Sequence, residues 1–482
     1  MIRFAGQHKP LLLIILIYLF VAGLFAVFTP DWQAPDEPAH YNYIAQVTQG
    51  KLPVIEDGDW DQGYLSTLTA NKFAPELLDD LGTVQYEDHQ PPLYYLLAAP
   101  LYKLSGGNLT VLRLFSVLIG VVIIYCADAI GRLMFPQRPW IGLAAAAFVA
   151  FQPQHVHILA SVNNDALGWA LVAVILWATI AYVKGERIAV WQLGLLVGIG
   201  FMTKTTTYFM AGVVLLAIVM RGWMDYRDTI SKQTDLTIPE EAKSNTPNWA
   251  LKMMRRNLAI FIIPALILGG IWWGRNIAVY DFPDFMGLGA HDAVVVGQPR
   301  TSDRIDELGF DGYLQEISRV TFNSFWGQFG WMAVPLQDHY DGLFYHFTKV
   351  MLSVAASGLL LEMVILRRRD KAPITAQQYS AWIIMIATTL LSVLAYIYYN
   401  TEFQQYQGRY MFTMLIPLGL WLALGFDAWR RLFTRGFVRD YIPGDAVIRG
   451  KEAFLPYAVV VAFLPLAVLD LWLLWQVIVP NL

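Results

Sequence analysis

Long apolar runs alternate with short polar stretches along the whole chain. Eleven of them approach or pass the roughly 18 residues, about 27 Å of helix, that a bilayer core requires. They lie at approximately 11–28, 111–133, 140–158, 165–183, 189–203, 206–222, 257–275, 343–366, 379–399, 409–428 and 454–476, the fifth and sixth being short. A twelfth apolar stretch, 91–105, is shorter and carries Pro100. It is expected to lie in the membrane interface with its tyrosines at headgroup level rather than to cross. The pattern predicts an all-α polytopic membrane protein with about eleven transmembrane helices.

The distribution of Lys and Arg orients these helices. Arg3 and Lys9 precede the first run, Arg132 and Arg138 follow the second, and Lys184 and Arg187 follow the fourth. Arg221, Arg227, Lys252, Arg255 and Arg256 surround the loop before the seventh. Arg367, Arg368, Arg369 and Lys371 follow the eighth, and Arg430, Arg431, Arg435 and Arg439 follow the tenth. With eleven crossings all of these fall on one side, the cytoplasm. The N-terminus is then cytoplasmic and the C-terminus outside. The chain forms one transmembrane domain, 1–482, with a large acidic first outer loop at 29–110 that contains juxtamembrane helices. A cytoplasmic loop follows at 223–256 and a second large outer loop at 276–342. The polar segment 229–248 is expected to be flexible.

Composition agrees with the pattern. Hydrophobic residues make up 56% and charged residues 15%, with a mean hydropathy of +0.44. Soluble domains carry about 25% charged residues. The single cysteine, Cys126, excludes an internal disulfide and a cysteine-based metal site. The first run follows Arg3 and Lys9 like a secretory leader, but it lacks a small-residue cleavage site and is expected to stay as the first span.

The candidate chemistry sits where the runs meet the outer loops. Pro35-Asp36-Glu37-Pro38-Ala39-His40 follows the first span directly. At the same level come His89, then Asn163, Asn164 and Asp165, then Lys204, Arg275 with Asn276, and Arg409 with Tyr410. Ionisable groups at membrane depth are costly and line cavities and pathways. Carboxylates suit a general base or a cation, whereas Lys and Arg suit a phosphate, Arg as a fork and Lys as a point charge. Each residue also has a plainer reading. Asp36-Glu37 can be a solvated turn, and His40 and His89 interfacial histidines. Asp165 can cap a helix, and Lys204, Arg275 and Arg409 can anchor helix ends at the headgroups. No Gly-rich nucleotide loop opens a helix, so ATP or a nucleotide sugar is not expected, and neither is a nucleic-acid partner.

The Pro35–His40 box resembles that of the GT-C superfamily of membrane glycosyltransferases. So do His89-Gln90-Pro91-Pro92-Leu93-Tyr94-Tyr95, Ser161–Asp165, Thr203-Lys204-Thr205, Trp273–Asn276 and Gln407-Gly408-Arg409-Tyr410, in the same order. The chain is most similar to bacterial relatives of protein O-mannosyltransferases and lipid A aminoarabinose transferases, and to a bacterial membrane-protein family with the same Asp-Glu box. The resemblance implies a GT-C-like fold in a bacterial plasma membrane, an active site on the outer face and a polyprenyl-phosphate sugar as donor. The acceptor would be a glycan, a lipid or a protein. It implies that Asp36 is the catalytic base or a metal contact and that Glu37 is the second acid of the pair. Asp165 matches an acid of the second outer loop. Lys204, Arg275 and Arg409 match basic positions near the lipid phosphate. His89 stands where aminoarabinose transferases carry a phosphate-contacting lysine. His40, Asn164, Asn276 and Tyr410 complete the expected substrate-binding set. A divalent cation (Mg or Mn) would be held by Asp36 and Asp165.

An inverting glycosyltransferase is therefore the leading expectation. A lipid-linked glycan flippase would instead place charges in mid-helix and show repeated halves. A non-catalytic scaffold would use the outer loops only to bind a partner.

Overall fold

The computed structural model describes residues 9–234, 246–336, 342–366, 374–441 and 455–482. Arg3, Arg367, Arg368, Arg369, Lys371 and the centre of the 229–248 segment lie outside the described residues.

The helices are α1 (Lys9–Phe28), α2 (Glu37–Thr48), α3 (Gln62–Ala70), α4 (Leu93–Ser105), α5 (Leu109–Met134), α6 (Trp140–Ala150) and α7 (Pro153–Leu159). They continue with α8 (Asp165–Lys184), α9 (Val190–Phe201), α10 (Phe209–Thr234), α11 (Thr246–Tyr280), α12 (Leu288–Val294) and α13 (Thr301–Gly327). The last are α14 (Leu343–Leu361), α15 (Ala376–Tyr399), α16 (Leu415–Tyr441), α17 (Ala458–Val461), α18 (Pro465–Leu473) and α19 (Val479–Asn481). A two-stranded antiparallel ribbon, Gln328–Phe329 against Val334–Pro335, interrupts the second large loop.

Among the described residues, nine helical stretches are long and apolar enough to cross a membrane, and α6 and α9 are shorter apolar helices. The expected third span, 140–158, is broken. Pro153 supplies no backbone N–H, and the Gln152 side chain accepts the His155 N–H instead, so α7 starts afresh. The expected cytoplasmic loop 223–256 is largely helix where it is described, because α10 and α11 run past the apolar core at both ends. The 91–105 segment forms α4, 13 residues ending at the left-handed Gly106. At 1.5 Å per residue it reaches about 20 Å, too short to cross.

The spans Asp165–Lys184 and Gly408–Thr434 are the most enclosed, with 83% and 72% of their apolar windows buried. Both begin at the end of the bundle where α1 delivers the Pro35–His40 box. Small residues make close approach possible around them. A Cβ on Gly425 would strike the Ala355 carbonyl, and one on Gly131 would strike Gly142. At the opposite end, Asp427 and Glu362 gather Arg138, Arg430 and Arg431 into a network of ion pairs 2.8–3.4 Å long. Lys9, Arg132 and Lys184 are at that end too.

Candidate active site

Two interlocked constellations are built on the box. The first is structural. Glu37 opens α2 and is fully buried. Its Oε1 accepts Arg113 Nε at 2.8 Å and the Val162 N–H at 3.0 Å. Its Oε2 accepts Arg113 Nη2 at 2.6 Å and the Trp32 N–H at 3.2 Å. Arg113, in the first turns of α5, also donates to the carbonyls of Thr29 and Pro30. This one pair fixes the end of α1, the start of α2 and the turn before α8.

The second constellation is a ring of polar groups. Asp36 sits at the N-cap of α2 with φ of 67°, a left-handed conformation unusual for a non-glycine residue and typical of functional sites when it occurs. Its Oδ1 accepts Tyr86 Oη at 2.8 Å, and its Oδ2 accepts Arg409 Nη2. Arg409 faces Asp165 Oδ2 at 3.9 Å, and Asp165 Oδ1 pairs with Lys204 Nζ at 2.7 Å. Lys204 Nζ also donates to Asn164 Oδ1 at 2.7 Å. Asn164 Nδ2 donates to Tyr95 Oη at 3.1 Å, and Tyr95 Oη lies 2.9 Å from His40 Nδ1. Tyr95 Oη thus links Asn164 to His40.

Local sequence explains the placement. A Cβ at Gly408 would strike the Phe325 backbone, and the Gly408 N–H donates to Ser324 Oγ at 2.8 Å, so Gln407-Gly408-Arg409 can press against the end of α13. The Tyr410 ring lies 5.3 Å from the Arg409 guanidinium carbon. Arg409 Nε and Nη1 have no hydrogen-bond acceptor, and Asp165 Oδ2 has no donor. Buried polar atoms left open in this way call for a ligand.

Electrostatics follow the geometry. Burial pushes Asp36 upward, but the Arg409 charge and the hydrogen bonds from Arg409 and Tyr86 outweigh it and hold the carboxyl below its ordinary range. Burial, with Lys204 adding to it, drops His40 to about 3 and keeps it neutral. Burial lifts Glu87 to about 7, with Asp36 adding to the rise, and burial lifts Asp88 to about 8.

Not every expected residue joins the ring. Arg275 donates to the carbonyls of Leu52 and Pro53 and stacks on Trp272, tying the first loop to α11 rather than meeting Lys204 and Arg409. Asn276 donates to the Phe285 carbonyl at 3.1 Å. His89 packs on His291 of the second loop, 4.3 Å between ring centres, and reaches the ring only through Gln90, which accepts from Asn164. Tyr95 enters the sequence reading only as part of the His89–Tyr95 motif, and Arg113, Tyr86 and Glu87 are not singled out there as site residues. Arg113 alone carried a signal, a charge at the start of an otherwise apolar span.

Asp36, His40 and Glu87 each offer a ligand atom within 4.8 Å of the others, whereas Asp165 is not part of that group. The fit to a divalent cation is poor. Both Asp36 oxygens already accept hydrogen bonds, and the Arg409 and Lys204 charges stand beside the group. No step below is routed through a metal.

No curated protein sequence matches the chain. Similar solved structures include ArnT from Cupriavidus metallidurans bound to undecaprenyl phosphate, at 14% identity and a TM-score of 0.49 over 98% of this chain and 74% of that one. The apo state of the same protein gives 14% and 0.49 over 97% and 72%. The Archaeoglobus fulgidus oligosaccharyltransferase tethered with an acceptor peptide gives 12% and 0.45 over 96% of this chain and 54% of that one. Likeness of that degree assigns no residue a role. Residues 89–232, which carry His89, Asn164, Asp165 and Lys204, match the family model described as dolichyl-phosphate-mannose-protein mannosyltransferase. Over that stretch the chain is similar to the GT-C membrane glycosyltransferases whose motifs it carries.

Proposed function

We propose that the chain is an inverting glycosyltransferase that moves a sugar from a polyprenyl-phosphate carrier to an acceptor hydroxyl at the outer membrane face. The observation that carries this reading is the Arg409 guanidinium. One nitrogen is committed to Asp36, while Nε and Nη1 remain buried without an acceptor beside the Lys204 ammonium. A phosphate oxygen seated at one of these nitrogens would receive a charge-assisted hydrogen bond from Arg409 and a point charge from Lys204. The family description, with its dolichyl-phosphate sugar, supports a donor of the same class.

Transfer breaks the bond between the anomeric carbon and the phosphate oxygen, and the electron pair leaves with the phosphate. Fixed cations at that oxygen stabilise the growing charge more in the transition state than in the bound donor. Asp36 keeps Arg409 in place, and the His40–Tyr95–Asn164 chain does the same for Lys204.

The test uses the full chain in liposomes with polyprenyl-phosphate mannose labelled in the sugar. The reading expects release of polyprenyl phosphate and labelled product. Movement of intact donor between leaflets without product would instead mark a flippase, and binding of neither donor nor lipid phosphate would mark a scaffold.

A further inference from the structure

A glycosyl acceptor must lose a proton as its oxygen bonds to the anomeric carbon. Four carboxyls stand at the box, and three of them are committed. Both oxygens of Glu37 are used by Arg113 and by backbone N–H groups. Asp36 is used on both sides, by Tyr86 and by Arg409. Asp165 lies between two cations, 2.7 Å from Lys204 and 3.9 Å from Arg409. Fixed cations hold a carboxylate ionised and make it a poor base. The fourth, Glu87, is different. Its Oε2 is shielded from solvent and has no hydrogen-bond partner. No Lys or Arg among the described residues lies within ion-pair distance of it. It still belongs to the pocket, because one of its oxygens lies within 4.8 Å of ligand atoms on both Asp36 and His40.

We propose that Glu87, and not Asp36, is the catalytic residue that takes the acceptor's proton, with Asp36 acting as a positioning residue for Arg409. The proposal rests on the glycosyltransferase reading above. The acceptor hydroxyl donates to the open Glu87 oxygen. As its own oxygen bonds to the anomeric carbon, its proton passes to Glu87. The bond from that carbon to the phosphate breaks, and the electron pair goes to the phosphate oxygen facing Lys204 and Arg409. Glu87 then returns the proton to water.

The surroundings suit the role. Asp36 and His40 face Glu87 from the box, Tyr86 and Asp88 flank it in its own segment, and Tyr95 faces it from α4. Lys204 and His291 act on it from the α9–α10 turn and from α12, and Tyr399 feels it from the end of α15. Burial is the largest influence, and it brings the group to about 7, where a base is most effective at neutral pH.

The decisive measurement compares wild type, Glu87→Gln, Glu87→Asp and Asp36→Asn. Single turnover with labelled polyprenyl-phosphate mannose is followed as a function of pH, and binding of polyprenyl phosphate alone is measured alongside. Glu87→Gln is expected to lose about 10²–10⁴ in kcat, to bind polyprenyl phosphate like wild type, and to lose the rise of kcat/KM through neutral pH. Glu87→Asp should keep that rise at reduced rate. Asp36→Asn should weaken polyprenyl-phosphate binding and keep the rise. Turnover of Glu87→Gln at the wild-type rate, or an unchanged pH profile, overturns the proposal and leaves the transferase reading standing. A wild type that binds polyprenyl phosphate but never cleaves donor overturns both. Infrared titration is independent of turnover. A protonated-carboxyl band that titrates near neutrality in wild type and Asp88→Asn and is absent from Glu87→Gln is required, and its absence from wild type sinks the assignment.

Discussion

Arg113 and Glu37 form a two-pronged ion pair at 2.8 and 2.6 Å with 1% and 0% of their side chains exposed. The pair also carries the backbone of Thr29, Pro30, Trp32 and Val162. Removing one member strands a buried charge, which costs about 3–5 kcal/mol, whereas removing both can be nearly neutral. Glu37→Gln and Arg113→Met are each expected to lower the thermal midpoint of the detergent-solubilised protein sharply. The double variant should recover part of the loss. A Glu37→Gln protein with wild-type stability but no turnover would instead mean that Glu37 acts on substrate.

The donor phosphate is expected to depend on Arg409 and Lys204 and much less on Arg275. Arg409→Lys keeps a charge, but its three N–H groups radiate from one nitrogen and cannot reproduce the spread of a planar guanidinium that holds Asp36 at one nitrogen and presents two others. Arg409→Lys and Lys204→Ala should each weaken polyprenyl-phosphate binding by about 1.5–3 kcal/mol, the range for a hydrogen bond to a charged group. Arg275→Ala should leave binding nearly unchanged and loosen the first loop, because its partners are the Leu52 and Pro53 carbonyls. Calorimetric titration of the three variants decides it, and equal losses would put Arg275 back at the phosphate.

Asp88 should make the fold weaken as pH rises. It is fully buried, one oxygen accepts Gln46 Nε2 at 2.6 Å and the other has no donor. Burial lifts it to about 8, so the folded chain holds this proton over a pH range in which the unfolded chain has released it. Stability therefore falls as pH climbs from the ordinary carboxyl range to about 8 and then levels off. Glu87 adds a like contribution over a narrower range that ends near 7. Neutral, buried His40 and His89 act with the opposite sign only below the ordinary histidine range of about 6.5. Between roughly pH 6.5 and 7.5 the Asp88 contribution should approach a loss of 1.4 kcal/mol per pH unit. Chemical denaturation across that window should show the slope in wild type and a flatter one in Asp88→Asn.

Chelation should leave turnover intact. The Asp36–His40–Glu87 group already has a cation in Arg409, and the Lys204 charge acts on it as well. Loss of activity in EDTA with recovery on adding Mn²⁺ would show that a metal displaces Arg409 from Asp36.

The order of apolar runs made the helical architecture legible, because a run of membrane length has few other folds open to it. The break at Gln152-Pro153 was hidden, since both flanking segments are apolar and only the proline marks the boundary. The ring residues Asp36, His40, Asn164, Asp165, Lys204 and Arg409 were legible because each is a polar exception at a helix end. Arg275 looked the same in sequence, and only the folded first loop shows its guanidinium turned to Leu52 and Pro53. Glu87 was invisible for a different reason. It sits in an acidic loop among many carboxylates, and what sets it apart is an unpartnered oxygen close to both Asp36 and His40, which is a property of packing.

The placement of α4 decides how every later helix is oriented. Leu93 follows two prolines, the helix ends at the left-handed Gly106 after 13 residues, and α5 starts again at the Asn108 cap. α4 packs its buried Tyr94, Tyr95, Ala98 and Ala99 against α2, α5 and the turn before α8. Both of its ends therefore stay on the side of the box. If α4 crossed, Arg138 and the box would share a side, yet the 26-residue α5 places Arg113 beside Glu37 and carries Arg132 to the other end. In a Cys126→Ser background, Lys103→Cys should react with a membrane-impermeant maleimide from the same side as Lys72→Cys. Gln137→Cys should react only from the opposite side. Gln137→Cys labelling with Lys72→Cys, and Lys103→Cys only from the opposite side, would place α4 across the membrane.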